Sequence, residues 1–247
     1  MKISLFAIRA MTAASLGITF GTRCPLLRYN DAEKLFGKLT PNYLSEIKKA
    51  HALFIFEREG RKRVYRLVPP NLFTYSLAME VNIGWLKQGA YANLILKIFF
   101  TLKEHFGQDL ISFGLYGSVA RNSAKKESDL DIFLIFQEIS GNISERIDLL
   151  LEFEKTKIIQ DELKFLYKNK FYPRISYYPS KKSELRMSFF TIDIAFDMKI
   201  IWDFKILKKF LRNINKRIKE QGITRKYLDK ERYYLDLNLK FGEIFEF

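Results

Sequence analysis

Two strongly apolar segments, LISFGLY at 110–116 and LDIFLIF at 130–136, bracket a charged connection that opens on Gly117-Ser118 and closes on Ser128-Asp129. Each segment is short, rich in β-branched and aromatic residues and bounded by turn-forming residues, so each predicts a buried strand. Strand alternation sends residues two apart to the same face. Asp129 and Asp131 therefore share a face, while Leu130 and Ile132 turn the other way, into the core. Two neighbouring carboxylates repel, and one stays protonated unless a cation sits between them. A divalent ion removes that cost, and carboxylates together with water and phosphate oxygens are the ligand set that magnesium prefers.

The other end of the connection complements this. Gly117 allows a phosphate close approach to the backbone, and Ser118-Val119-Ala120-Arg121 can begin a helix whose free amides and serine hydroxyl bind it. Arg121, Lys125 and Lys126 lie between the two ends. Arg121 is a candidate phosphate contact, and solvated loop lysines are the plainer reading of the other two.

In GSVARNSAKKESDLDIFLI the Gly117-Ser118 pair is followed by Val119–Ser128 and then by Asp129-Leu130-Asp131. This resembles the DNA polymerase β-like nucleotidyltransferase superfamily, its small prokaryotic "minimal" members above all. Asn122 stands where glycine is common, and asparagine tolerates the same left-handed backbone. The resemblance covers about twenty residues directly, and the order of helices and strands extends it over roughly 80–200. It implies an α/β (α+β) nucleotidyltransferase fold, a mixed sheet flanked by helices. It also implies transfer of a nucleoside monophosphate from a nucleoside triphosphate, with ATP the expected donor, to an acceptor hydroxyl. Two magnesium ions on Asp129 and Asp131 would clamp the triphosphate, with Gly117, Ser118 and Arg121 as nucleotide contacts. Members paired with toxins modify protein tyrosines, so a protein acceptor or toxin partner is one implied partner. Family catalysts carry a third carboxylate on a later strand. The third strand candidate, PRISYY at 173–178, has no acid. FFTIDIAFD offers Asp193 and Asp197. Asp193 is the candidate if TIDIAF is a strand, with surface acids or helix caps as the alternative.

The rest of the 247-residue chain gives context. The Pro69-Pro70 pair breaks regular structure and predicts a boundary, with a first domain over 1–75 and a second over 76–247. Before it, helical patterns at 2–11, 12–20 and Ala32–Phe36 (capped by Asn30-Asp31) precede a helix with Thr40 as N-cap, Pro41 at its start and Leu44 and Ile47 inward. A β-hairpin, Leu53–Phe56 and Val64–Val68, follows. Helices and then a hairpin with a basic tip predict a winged helix-turn-helix. Arg58, Arg61, Lys62, Arg63 and Arg66 would be its DNA phosphate contacts, and an exposed hairpin with edge-protecting charges is the plainer alternative.

After the prolines, 79–106 reads as helical, Ile143–Tyr167 as one long helix with Leu149, Leu150, Phe153, Ile158 and Leu163 inward, and 233–247 as a hairpin around Gly242. Phe204–Lys219 is an amphipathic helix whose outer face is wholly basic, either solvated or a surface for nucleic acid or an acidic partner. The net charge of +14 suits polyanionic partners. One cysteine, Cys24, suits a reducing compartment, and two separated histidines argue against zinc. Arg9 and Arg23 argue against a signal peptide, and the apolar run at 94–100 is short for a membrane span and contains Lys97, which together predict a cytoplasmic protein without a membrane partner. The alternative function is a DNA-binding transcriptional regulator or antitoxin-like protein whose nucleotidyltransferase domain senses nucleotide or is inactive.

Overall fold

The computed structural model describes residues 26–229, 232–240 and 243–245. The helices expected at 2–11 and 12–20, together with Cys24 and Gly242, lie outside the described residues.

The N-terminal part contains β1 (Leu26–Arg28), α1 (Tyr29–Phe36), α2 (Thr40–Lys49) and the hairpin β2 (Leu53–Glu59) and β3 (Lys62–Leu67). The strands form an antiparallel sheet in the order β1-β3-β2. Helix α1 starts earlier than the expected Asn30-Asp31 cap: Arg28 is the capping position, and its N–H donates to Asp31 at 3.3 Å. Thr40 is inside α2, its hydroxyl donating to the Gly37 carbonyl at 2.6 Å, while Leu44 and Ile47 are buried as the spacing requires. Pro70 opens α3 (Pro70–Ala78), where its missing N–H costs nothing. Of the 79–106 pattern only α4 (Ala92–Phe106) is a long helix. The preceding stretch runs against β2, so closely at Gly89 that a Cβ there would meet the Ile55 carbonyl at 2.4 Å.

The central sheet has the order β6-β5-β4-β7, built from β4 (Leu110–Tyr116), β5 (Leu130–Phe136), β6 (Ile175–Lys181) and β7 (Lys199–Asp203). β5 and β6 are parallel and the other pairings antiparallel, giving a mixed sheet. The one-turn helix α5 (Gly117–Ala120) follows β4 directly. The single helix expected at 143–167 is two, α6 (Ile143–Glu154) and α7 (Lys157–Lys168). Leu149 is exposed, and Leu150 takes the inward position.

The TIDIAF segment is not a strand. Ser188 caps α8 (Phe189–Ala195) by accepting the Thr191 N–H at 3.2 Å. The chain then forms β7, α9 (Ile206–Gln221) and a hairpin of β8 (Thr224–Tyr227) and β9 (Tyr233–Asp236), with Tyr227 opposite Tyr233. The closing hairpin therefore begins some ten residues earlier than the pattern around Gly242 suggested.

Both faces of the sheet are covered. On one, Phe113, Ile132, Leu134 and Phe136 pack with α4 and α7 in a core continuous with Leu27, Leu53 and Leu72. On the other, Phe133 and Ile135 pack against Ile194 of α8 and Leu207 and Leu211 of α9. Arg66 is not a wing residue. Its side chain is 7% exposed and forms a two-pronged ion pair with the fully buried Glu162 of α7, a pairing across 96 positions that residue type does not announce. Among the described residues no helix is long and apolar enough to cross a membrane.

Candidate functional site

The site lies at the end of the sheet where β4 delivers its chain into α5. Gly117 adopts a left-handed backbone, φ +72°, a conformation that other residues adopt only with strain. It also lies against β5: a Cβ at Gly117 would sit 2.1 Å from Oδ2 of Asp131. Asn122 is left-handed too, φ +58°, and its Oδ1 accepts the Lys87 N–H at 2.7 Å, which fixes the end of the turn. Gly117→Ala should therefore displace the Asp131 carboxylate as well as strain the turn. We expect a stability loss of about 1–3 kcal/mol and a larger loss of activity than the stability change explains. Urea unfolding and turnover of the same preparation test this, and full activity in a stable Gly117→Ala chain would contradict it.

A cleft of about 440 Å³ brings together Gly117, Ser118, Arg121, Asp129, Asp131 and Asp193. Across the sheet Asp131 is flanked by Tyr116 on β4 and Ser176 on β6. The parallel neighbour strand thus offers a hydroxyl, not an acid, beside Asp131. Neither carboxylate of the pair has a hydrogen bond or ion pair with a described residue. Burial, then the charge of Asp129, pushes the Asp131 carboxyl up to about 6, with Arg121 pulling the other way. Burial, then the charge of Asp131, also raises the neighbouring Tyr116 hydroxyl. These are the marks of uncompensated negative charge, and a hard cation fits there. Among the described residues no group of three or more acidic, histidine or cysteine side chains is placed to hold a metal. A carboxylate pair completed by substrate phosphates is a sufficient magnesium donor set.

The far wall of the cleft differs from the sequence expectation. Asp193 and Asp197 come from α8 and the turn after it, one helical turn apart, and both are neutralised. Arg225 of β8, its side chain 5% exposed, bonds Oδ1 of Asp193 through Nε at 3.0 Å and Oδ2 of Asp197 through Nη1 at 2.6 Å. Its remaining nitrogen donates to the Asp193 carbonyl. The Tyr233 hydroxyl of β9 donates to Oδ2 of Asp193 at 3.0 Å. Arg121 donates to Asp197 at 2.7 Å, so this candidate phosphate contact is anchored from the opposite wall. Burial raises the Tyr233 hydroxyl above the ordinary tyrosine value. Arg225 and Tyr233 escaped the sequence reading: they reach the site because α9 returns the chain to it, and four-residue strands carry little pattern.

The basic residues of the N-terminal hairpin do not line this cleft. Arg58, Arg61, Lys62 and Arg63 are exposed at the tip of β2–β3. Three of them, with Arg28, Tyr29 and Glu59, border a separate hollow of about 670 Å³.

No curated protein matches the chain. Among solved structures, one described as "Crystal structure of the toxin-antitoxin with AMP-PNP" is similar at 14% identity, over 52% of this chain and 92% of that chain, with a TM-score of 0.30. Residues 95–190, which carry β4, the Gly117-Ser118 turn and both aspartates of the pair, match the model of the nucleotidyltransferase domain family.

Proposed function

We propose that the protein transfers a nucleoside monophosphate from a nucleoside triphosphate, ATP by expectation, to an acceptor hydroxyl. The observation that carries this reading is the carboxylate pair Asp129/Asp131, without a side-chain partner among the described residues, with Asp131 pressed against the glycine of a Gly-Ser turn. Asp129 and Asp131 would hold magnesium, two ions in all, which when bound neutralises triphosphate charge and favours the ionised acceptor hydroxyl. Gly117 leaves room for the Asp131 carboxylate and lets the phosphates approach the backbone, Ser118 donates its hydroxyl to their oxygens, and Arg121 adds positive charge beside them. The acceptor oxygen bonds to the α-phosphorus, the bond from that phosphorus to the β-phosphate oxygen breaks, and pyrophosphate leaves. The acceptor proton goes to Asp193. Both oxygens of Asp193 are occupied, so the Tyr233 hydroxyl must yield Oδ2 to the incoming hydroxyl, while Arg225 keeps the carboxylate oriented.

A second reading rests on the exposed basic tip of the β2–β3 hairpin. Two helices and an antiparallel β1-β3-β2 sheet are compatible with a winged helix-turn-helix in which Arg58, Arg61, Lys62 and Arg63 meet DNA phosphates. In that case the chain is a DNA-binding regulator, or an antitoxin-like protein with a toxin partner.

Incubation with α-labelled ATP, magnesium and the total RNA and protein of a cell extract separates the two. Label transfer is expected from the wild type, absent from Asp129→Asn, and reduced at least about tenfold in Asp193→Asn. Labelling that persists in Asp129→Asn would place the chemistry elsewhere. Absence of transfer to every acceptor, with salt-sensitive duplex binding lost in Arg61→Gln/Lys62→Gln, would favour the regulator.

A further inference from the structure

The outer face of α9 is a cationic track with a direction. Asp203 starts the helix by accepting the N–H groups of Leu207 and Lys208 at 2.9 and 3.0 Å, and is itself held by Ser112 at 2.6 Å. Leu207, Leu211, Ile214 and Ile218 are buried against the sheet and α8. On the exposed side, Lys205, Lys208, Lys209, Arg212, Lys216 and Lys219 line, with Asn215, a groove of about 960 Å³ beside β7. Lys216 is bridged to Glu220 at 3.6 Å. Among the described residues Lys205, Lys208, Lys209, Arg212 and Lys219 have no acidic partner.

Strides of three and four residues place successive cations about 4.5–6 Å apart, over about 21 Å from Lys205 to Lys219. That is close to the separation of neighbouring phosphates in an extended strand. β7 starts beside the site, with Lys199 opposite Leu115, and runs away from it to Asp203. Helix α9 then leads back, and three residues past its C-terminal Gly222 the chain supplies Arg225 to the catalytic cleft. The track therefore points at the site. Exposed aromatic rings stand at both ends: Phe204, 55% exposed, at the start, and Tyr227, 60% exposed, beyond the finish. Tyr227 also borders a pocket of about 390 Å³ with Ser118 and Arg121.

We propose that α9 binds the backbone of a single-stranded polynucleotide and leads its terminal hydroxyl into the cleft as the nucleotidyl acceptor. The acceptor part of this rests on the proposed transferase activity, whereas the docking stands without it. A row of cations flanked by exposed aromatic rings is the recognition chemistry of single strands, charge following the phosphates and rings stacking bases. An anionic membrane would require an apolar face free to insert, and the apolar face of α9 is buried. An acidic peptide offers no bases to stack.

The test is fluorescence anisotropy of the full chain with labelled oligonucleotides of about 12 nucleotides, as RNA and as DNA. With about four phosphates neutralised, affinity should fall about fiftyfold between about 50 and 200 mM salt. The variant Lys205→Gln/Lys208→Gln/Arg212→Gln/Lys219→Gln should bind more than about tenfold more weakly, with a salt dependence shallower by about three powers. Its unfolding midpoint should match the wild type within a few degrees. Phe204→Ser, which removes no charge, should weaken binding about fivefold or more. A preference between the RNA and DNA arms identifies the acceptor sugar. Unchanged binding by the quadruple variant overturns the proposal. So does displacement by polyglutamate as effective as by unlabelled oligonucleotide, or tighter binding to phosphatidylserine vesicles. Oligonucleotide binding without label transfer would leave the docking in place and remove the transferase reading. Label transfer to protein without oligonucleotide binding would do the reverse.

Discussion

Asp131→Asn should abolish transfer and at the same time make the metal-free protein more stable at neutral pH. On the proposed transferase reading, activity should fall by more than about a hundredfold, because the substitution would remove a charged metal ligand. The stability change has the opposite sign because the carboxyl is raised to about 6 in the folded chain by burial and by Asp129. The unfolded chain releases that proton near pH 4. Between about pH 4 and pH 6 the folded state holds more protons than the unfolded one, so stability falls as pH rises through that window and the loss is complete above it. Asparagine carries no such charge, and Asp131→Asn should lack this slope. Because the group is partly solvated, the gain above pH 6 should be about 1 kcal/mol rather than the full value of the shift. Magnesium should stabilise the wild type and leave Asp131→Asn unmoved. Urea titrations at several pH values, with and without magnesium, measure both effects. Parallel pH profiles for the two chains would show that Asp131 is not held uncompensated in the cleft.

The carboxylate pair was readable because its signal is local. Mostly apolar runs fixed β4 and β5 to the residue, and a spacing of two put both acids on one face. The left-handed backbone at Asn122 follows from the same local chemistry. The opposite wall was not readable in this way. TIDIAF suits a strand by alternation and a short helix by composition, and the Ser188 cap decides for the helix. Asp193 nevertheless reaches the cleft, because α8 packs across the face of β5 on which Asp131 lies. Arg225 and Tyr233 depend on where α9 returns the chain, a tertiary fact that no window of sequence contains. The split between α6 and α7 likewise turned Leu149 outward, since a break at Thr156 frees the first helix to choose its own inner stripe.

Glu162→Leu should be strongly destabilising, and adding Arg66→Met to it should recover part of the loss. Glu162 is completely buried on α7. It accepts from Arg66 of β3 and, at 2.8 Å, from Lys97 of α4. The Arg66 guanidinium also lies 3.8 Å from the Phe165 ring centroid, and its Nε has no partner among the described residues. Removing the acid strands a buried guanidinium, which costs about 3–5 kcal/mol. For a chain of this size that lowers the unfolding midpoint by roughly 6–20 °C. Replacing Arg66 and Glu162 with apolar groups of similar volume removes the desolvation cost of each but leaves the Lys97 ammonium, 16% exposed, without its carboxylate, so the double variant should lie between the single variant and the wild type. A cycle of the two single variants and the double measures the coupling. The same triad joins the base of the β2–β3 hairpin to the helices behind β4 and β5, within one continuous core. The hairpin whose tip carries Arg58, Arg61, Lys62 and Arg63 is therefore anchored at its base to this core. Loss of the triad should lower the melting of hairpin and sheet together, in one transition followed by both near-UV and far-UV dichroism. A separate early melting of the N-terminal part in Glu162→Leu, with the sheet unaffected, would show that the triad does not couple them.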